Sequence, residues 1–435
     1  MGYRLGATYP IIGFFLKTMF LFEGICYYQL MENSIGQSIK HYRQLQGLTQ
    51  RELADRSGVK YTTITKIETG LIEDPSFSKV SKLSHALGIA TDQLAFSFEN
   101  LGQTFDLNNR RFLGNKYKLL NFIKQIVDEN IGEFDIFCDA FAGTGVVGEF
   151  FNKPHNQIIS NDLLKSNYIA LKSFLGITNV NRSLLNEKIK YLNNLRPNQD
   201  NYVSNNFGGM YFSYENARKI GLIRETIDKI SESVDEKDLL LTSLIYAMDK
   251  VANTVGHYDA FRRNLDTVMP IKLLVPNIHI ENNERNVIFN EDANNLVKKI
   301  SCDILYLDPP YNSRQYSDAY HLLENIVEWK KPEVFGIARK MNRNHIKSKY
   351  CLKDAVKSFE ELISNADAKH ILLSYNDTGE TKDGRSNAKI SDEEIKRILC
   401  KKGKVKVFET KYKAFTTGKN RNLNNKERIF YCKVI

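Results

Sequence analysis

The chain has 435 residues, 42% hydrophobic and 26% charged, with a formal charge of +10. That length allows two or three domains with ample core, the composition is ordinary for a soluble protein, and the excess of cations favours an anionic partner. Its six cysteines include no Cys-x-x-Cys and no nearby histidine pair, which argues against a bound metal and a disulfide framework and fits a reducing, cytoplasmic compartment.

Residues 1–30 differ in character from the rest of the chain. The stretch 11–28 is apolar, but Lys17 and Glu23 interrupt it and no small-residue cleavage site comes after it, so no membrane anchor is expected. The native start is expected at Met31 or Met19, with the preceding residues an over-long reading frame; the other reading is an amphipathic packing segment.

Residues 31–98 read as a helical domain of five short helices. Thr49-Gln-Arg-Glu52 is a capping box that opens the second helix, Ser57-Gly58-Val59 makes a turn, and the third helix spans 60–68, ended by Gly70. Two helices joined by a glycine-containing turn form a helix-turn-helix. With its Leu-Thr-Gln-x-x-Leu-Ala start and Ile-x-x-Ile-Glu-x-Gly finish, the stretch resembles the repressor and restriction-controller family. That resemblance implies a third helix in the major groove of double-stranded DNA, with Lys60, Tyr61, Thr62 and Thr65 facing bases and Gln50 facing phosphate. A compact helical module without DNA binding is the other reading. A polar linker is expected over 99–110.

Seven strands are expected after it, at residues 134–139, 157–161, 286–290, 303–307, 369–375, 404–410 and 428–433, most of them separated by helical patterns. This is an α/β pattern with a mostly parallel sheet covered on both faces. The first strand runs into Ala140-Phe141-Ala142-Gly143-Thr144-Gly145, whose glycines suit a tight strand-to-helix turn and close approach of a ligand. The second ends at Asp162, where an acid would meet ribose hydroxyls. The third is followed by Asp292, placed to hold an adenine amine or to cap a helix, two compatible roles. The fourth ends in Asp308-Pro309-Pro310-Tyr311. By itself that tetrapeptide also suits an ordinary strand stop. Read chemically, the Asp308 carboxylate and Pro309 carbonyl accept the two N–H hydrogens of a planar amine while Tyr311 stacks on its ring, and nucleobases fit.

Three separated motifs agree in order and kind. Arg111-Phe-Leu-Gly114-Asn115-Lys116-Tyr117, Asp139-Ala-Phe141-Ala-Gly143-Thr-Gly145 and Asp308-Pro309-Pro310-Tyr311 together resemble the S-adenosylmethionine-dependent, Dam-like adenine DNA methyltransferases, in the arrangement where the cofactor motif precedes the target-recognition region and the catalytic motif comes last. The run Asn312-Ser-Arg314-Gln315-Tyr316 and onward to Asn325 looks like the subset found in type II restriction–modification systems. The resemblance implies a class I methyltransferase fold, Rossmann-like, with an antiparallel strand inserted near the end of the sheet. It implies S-adenosyl-L-methionine held by Gly114, Lys116, Asp139, Phe141, Gly143, Gly145, Asp162 and Asp292, and catalysis by Asp308, Pro309, Pro310 and Tyr311. A restriction endonuclease acting on the same site, without need to bind this chain, is the implied companion.

The cofactor part is expected at 111–180, the catalytic part at 286–435, and between them, at 181–285, a helical insertion that is a substrate-reading lobe or decoration. His257, Tyr258, Arg262 and Arg263 combine cations, aromatics and a turn suited to phosphate and base contacts, against a capped helix end with solvated arginines. Arg314, Gln315 and Tyr316 are candidates for filling the vacated stack or holding the orphan base. The basic run 339–349 is a DNA-clamping loop or a solvated face. Residues 378–388 and 417–425 are expected as polar loops. Cytosine amino methylation, RNA adenine methylation and a regulator with an inactive methyltransferase domain are the rival functions; aspartate rather than serine at 308 tilts toward adenine.

Overall fold

The computed structural model describes residues 35–72, 75–89, 104–265, 269–376, 389–411 and 426–435. The expectations for residues 1–30, for the fifth small helix and for the loops 378–388 and 417–425 fall wholly or mainly outside these. The chain divides into two compact units, residues 1–102 and 103–435. Among the described residues, no helix is long and apolar enough to cross a membrane.

In the first unit, α1 (Ile35–Leu45), α2 (Gln50–Ser57), α3 (Tyr61–Glu68) and α4 (Phe77–Ala86) enclose a core that includes Ile39, Leu53, Ile64, Ile67 and Leu83. The capping box is formed: Thr49 N–H donates to Glu52 Oε2 (2.6 Å) and Glu52 N–H to Thr49 Oγ1 (3.2 Å). Gly58 ends α2 in the left-handed region, which costs glycine no Cβ clash. A Cβ on Gly36 would collide with the Ile67 carbonyl, so only glycine lets α1 approach α3 this closely. Buried Arg43 donates from Nε and Nη2 to the two oxygens of Glu68 (2.7 and 2.8 Å) and from Nη1 to the Leu48 carbonyl, so the pair is both neutralised and hydrogen-bonded.

The second unit is built on a seven-stranded sheet: β1 (Ile136–Asp139), β2 (Gln157–Asn161), β3 (Val287–Phe289), β4 (Ser301–Leu307), β5 (Asp367–Ser374), β6 (Gly403–Lys411) and β7 (Lys426–Val434). Their spatial order is β3-β2-β1-β4-β5-β7-β6, and β7 alone runs antiparallel to its neighbours. Every expected strand is present, with ends displaced by no more than two residues. Side chains alternate between two cores: Phe137, Ile304, Tyr306, Leu372 and Tyr431 face one, while Cys138, Leu305, Leu307, Leu373 and Phe430 face the other. Helices α5 (Leu120–Asn130), α6 (Val146–Phe151) and α7 (Lys165–Leu171) contribute to the first core.

Residues 181–285 supply α8 (Arg182–Asn194), α9 (Tyr202–Phe207), α10 (Tyr214–Ile230) and α11 (Val234–Val251). These share one core with the sheet: Phe207, Tyr211, Ile223 and Leu244 belong to the cluster that holds Phe137 and Tyr306. Helix α12 (His321–Glu328), which comes after the Asp308–Tyr311 tetrapeptide, is tied to α10 by buried Arg224, whose Nε donates to the Ile326 carbonyl (2.7 Å). Helices α13 (Ala355–Asn365) and α14 (Asp392–Leu399) cover the other face.

One expectation is corrected. Residues 104–110 are not linker: Phe105 and Leu107 are buried, Tyr246 Oη donates to the Leu107 carbonyl (2.8 Å), and Arg110 pairs with Asp249 (3.0 Å). The polar asparagines around them conceal two apolar anchors.

Candidate functional site

Strand order reverses between β1 and β4, the position where an open α/β sheet leaves a crevice at its carboxyl edge. Asp139 closes β1, Asp162 follows β2, Asp292 stands three residues after β3, and Asp308 follows β4. All four carboxylates line one cleft of about 910 Å3, open solvent at its mouth included. Gly114, Lys116, Phe141, Gly143, Pro310 and Gln315 line it as well.

The glycine turn is wired to both neighbouring strands. Ala140 N–H donates to the Tyr306 carbonyl (3.1 Å), Ala142 N–H to the Asn161 carbonyl (2.9 Å) and Gly143 N–H to Asp162 Oδ2 (2.9 Å). Asp162 Oδ1 accepts from Leu164 N–H (2.8 Å), so this acid fixes the turn whatever else it binds. Gly143 has φ 56°, and a Cβ there would lie 3.1 Å from the Phe112 ring. Gly145, at φ 83°, does not line the cleft; a Cβ there would collide with Leu171 and press on Leu107. Close approach of a ligand is therefore not what position 145 provides. It lets α6 start against α7. Asp292 accepts from Asn294 N–H (2.9 Å), the helix-cap role, while remaining in the cleft wall.

Lys116 Nζ lies 2.8 Å from Asp308 Oδ2 and donates to the Gly114 carbonyl (3.2 Å). Burial works against the lysine's charge, yet Asp308 and then Glu427, a carboxylate from β7, outweigh it and raise its pKa. Burial also raises the pKa of Asp308, and Lys116 opposes that rise. Asp139 is pushed up to about 8, by burial first and then by the charges of Asp308 and Asp162. Asp162 is pushed up to about 6 by burial, against the backbone N–H groups it accepts from. Asp139 Oδ1 is buried with no hydrogen-bond partner.

Tyr311 and Pro309 do not line this cleft. Tyr311 packs edge-on to Tyr375 with ring centres 6.0 Å apart, and its carbonyl accepts from Lys389 N–H (3.0 Å). Gln315 is buried and fully engaged: Nε2 donates to the Ser348 carbonyl (3.0 Å) and Oε1 accepts from Ser348 N–H (2.8 Å). It is a strut for the 344–351 segment, not a free amide. Arg314, Arg262 and Arg263 are exposed and His257 is half-buried. Tyr258, expected on a contact surface, is instead core: its hydroxyl donates to Asp249 Oδ1 (2.8 Å) and its carbonyl accepts from Tyr211 Oη (2.8 Å).

Sequence reasoning passes over Phe112, Asn167 and Tyr350, which also line the cleft. Phe112 stacks on Tyr320 (4.5 Å, 8°) and Tyr316 (5.4 Å, 24°), and Leu113 N–H donates to Tyr320 Oη (2.8 Å). The two tyrosines thus pin the 111–117 motif from just beyond the tetrapeptide. Their spacing of four is the available signal, since it puts both on one helical face.

In the first unit, Lys60, Tyr61 and Thr62 are exposed at the start of α3. Gln50 is bound on both sides: its Nε2 donates to Glu68 Oε2 (2.8 Å) and its Oε1 accepts from Thr65 Oγ1 (3.2 Å).

The family model for D12 class N6 adenine-specific DNA methyltransferases matches residues 112–380, a span that includes every cleft-lining residue. The chain belongs to that family. A helix-turn-helix family model matches residues 39–94. Among curated relatives of this D12 methyltransferase, the type II methyltransferase M.NlaIII of Neisseria lactamica is 35% identical over 333 residues, 72% of this chain and 95% of the relative. The type II methyltransferase M.FokI of Planomicrobium okeanokoites is 34% identical over 346 residues, 74% of this chain and 52% of the relative, so the chain spans about half of that longer protein. The HTH-type transcriptional regulator SinR of Bacillus subtilis is 37% identical over 60 residues, 14% of this chain and 54% of the regulator.

Proposed function

We propose that this D12 methyltransferase moves a methyl group from S-adenosyl-L-methionine to the exocyclic amine of an adenine flipped out of duplex DNA. The observation that carries the reading is the convergence of Asp139, Asp162, Asp292 and Asp308 from four strand ends onto one cleft. Five carboxylates, counting Glu291, and one ammonium, Lys116, line it. Such a donor set suits a cationic ligand, and the unpartnered Oδ1 of Asp139 is a buried acceptor waiting for a donor. Gly114, Lys116, Phe141, Gly143, Asp162 and Asp292 would hold the cofactor, which when bound supplies a methyl group made electrophilic by its sulfonium sulfur.

The rest of the chemistry falls to side chains and backbone. An adenine amine is a poor nucleophile because its lone pair is delocalised into the ring. Asp308 and the Pro309 carbonyl accept its two N–H hydrogens, which favours tetrahedral nitrogen and frees the lone pair. Lys116 favours the ionised form of Asp308 against burial, and a carboxylate has lone pairs enough to accept from lysine and amine together. Tyr311 would stack on the extruded base and offset part of the few kcal/mol that extrusion costs.

Protection of host DNA against a restriction endonuclease cutting the same site, in the cytoplasm, is the setting this reading implies. His257, Arg262, Arg263 and Arg314 would contact the target duplex. Lys60, Tyr61, Thr62 and Thr65, with Gln50, would contact a second site, an operator of the chain's own gene. Mass analysis of nucleosides from DNA and RNA incubated with the protein and cofactor tests the central claim. N6-methyladenine in DNA is expected; N4-methylcytosine, methylated RNA alone or no product would overturn it.

A further inference from the structure

The segment 329–340, directly after α12, is held in an unusual conformation. Among the described residues, the non-glycine residues with positive φ are Trp329 (54°), Lys331 (50°) and Arg339 (48°), all within these twelve positions. Such backbone persists only where the surroundings over-determine it, and it concentrates at functional sites. Here the surroundings are visible. The Arg224 guanidinium lies 5.2 Å from the Trp329 ring, Tyr202 Oη donates to the Pro332 carbonyl (2.5 Å), and the Tyr211 hydroxyl shares its hydrogen between the Tyr258 carbonyl and the Ala338 carbonyl (3.0 Å). A β-bridge between Phe335 and Lys340 closes a hairpin that turns at Gly336.

This anchored hairpin presents its apolar side chains to solvent. Val334 and Met341 are buried at its base, while Phe335 is 58% exposed and Ile337 88% exposed at its tip. Arg339 is exposed two positions from Ile337, Lys347 and Lys349 are exposed in the segment beyond, and Glu333 is the exposed acid just before the bridge. Stacked bases between phosphate chains offer the complementary combination of an apolar interior and an anionic rim. The hairpin is also tied to the loop beyond Asp308. Lys340 pairs with Asp259, the neighbouring Tyr258 N–H donates to the Ala319 carbonyl (2.7 Å), and Arg343, three positions past Lys340, pairs with Asp318.

We propose that Ile337, backed by Phe335, is a wedge that enters the duplex where the target adenine leaves its stack, with Arg339 on the flanking phosphate. The inference rests on the reading of the chain as a base-flipping adenine methyltransferase. A wedge stabilises the opened duplex, so its loss matters most when the target base is fully paired.

The test compares wild type and Ile337→Ala on two oligonucleotide duplexes that carry the site the wild type methylates. In one the target adenine is paired; in the other an abasic position faces it. Removing the wedge should lower kcat/KM about tenfold on the paired duplex and about twofold on the abasic one, because the latter needs little help to open. An equal loss on both substrates, or no loss on either, would overturn the wedge. A wild type that transfers no methyl group to adenine in either duplex would remove the underlying reading and the inference with it. Ile337 is exposed, so its thermal unfolding midpoint serves as the check that the variant remains folded.

Discussion

The buried pair Lys116–Asp308 concentrates the chemistry of the cleft in two side chains. Replacing Asp308 with Asn keeps the shape and removes the charged acceptor; kcat should fall about 10²–10³-fold with cofactor affinity largely kept, as for loss of one preorganised transition-state contact. Near-normal turnover measured with saturating cofactor would sink that role. Lys116→Met tests the lysine's part from the other side. Burial, no longer opposed, raises the pKa of Asp308 further. An acceptor that must be ionised then stays protonated up to a higher pH, so the acid limb of the pH–kcat profile should move upward. An unmoved limb would mean that Lys116 does not set the ionisation of Asp308. Gly145 makes a different kind of point. Valine there meets a left-handed backbone and the Leu171 side chain at once, so Gly145→Val should cost about 3 kcal/mol or more in stability, seen as a lower unfolding midpoint. A weakened cofactor affinity at an unchanged midpoint would return position 145 to the ligand.

At the scale of elements, the helix-turn-helix separates a residue that holds the fold from residues exposed on its third helix. Glu68→Ala leaves buried Arg43 without its counter-charge, and about 3–5 kcal/mol should be lost from the first unit. Tyr61→Ala with Thr62→Ala touches exposed side chains and should change stability by about 0.5 kcal/mol or less. The double variant should lose protection of an operator upstream of the gene while methylating its target as before. Footprinting that finds no operator, or loss of methylation, would rule out autoregulation. The same elements show what a sequence exposes to reading. Buried strands are apolar runs, and the Thr49–Glu52 box is a purely local pattern, so both are legible. Tyr258 is not: between His257 and Arg262 it looks like surface, and only the fold turns it toward Asp249. Ile337 is the opposite case: it is exposed, and nothing local in the sequence around it marks it as such. Gln315 looks free because its partner, Ser348, lies thirty-three positions away. Facing and long-range pairing are set by packing, and neither has a local signature.

Across the whole molecule, several buried carboxyls titrate well above their usual range. Asp139 reaches about 8, and Glu149 and Glu324 about 7, each pushed up first by burial. A raised carboxyl stabilises the fold while protonated, and that contribution is lost as pH rises through its folded pKa. The histidines buried as neutral rings, such as His321 at about 4, act in the opposite sense but only below the ordinary histidine range. From about pH 6.5 to 8 the ligand-free protein should therefore lose stability, read as a falling unfolding midpoint. A cationic cofactor favours the ionised cleft, so its affinity should rise over the same window with release of protons. Titration calorimetry in buffers of different ionisation enthalpy measures that release. A midpoint that rises with pH would contradict the assigned shifts.

The shared core beneath residues 181–285 bears on how such an enzyme changes its target. Phe207, Tyr211, Ile223 and Leu244 belong to the same core as Phe137 and Tyr306, so this region is not a detachable module. Transplanting it whole from a relative would import a mismatched half of the interior along with new base contacts. With Arg262 and Arg263 on the target duplex as proposed, altered sequence preference is more accessible through single exchanges at such exposed positions, which leave the interior untouched. Divergence of recognition in this architecture should therefore proceed by small surface steps and rarely by recombination of modules.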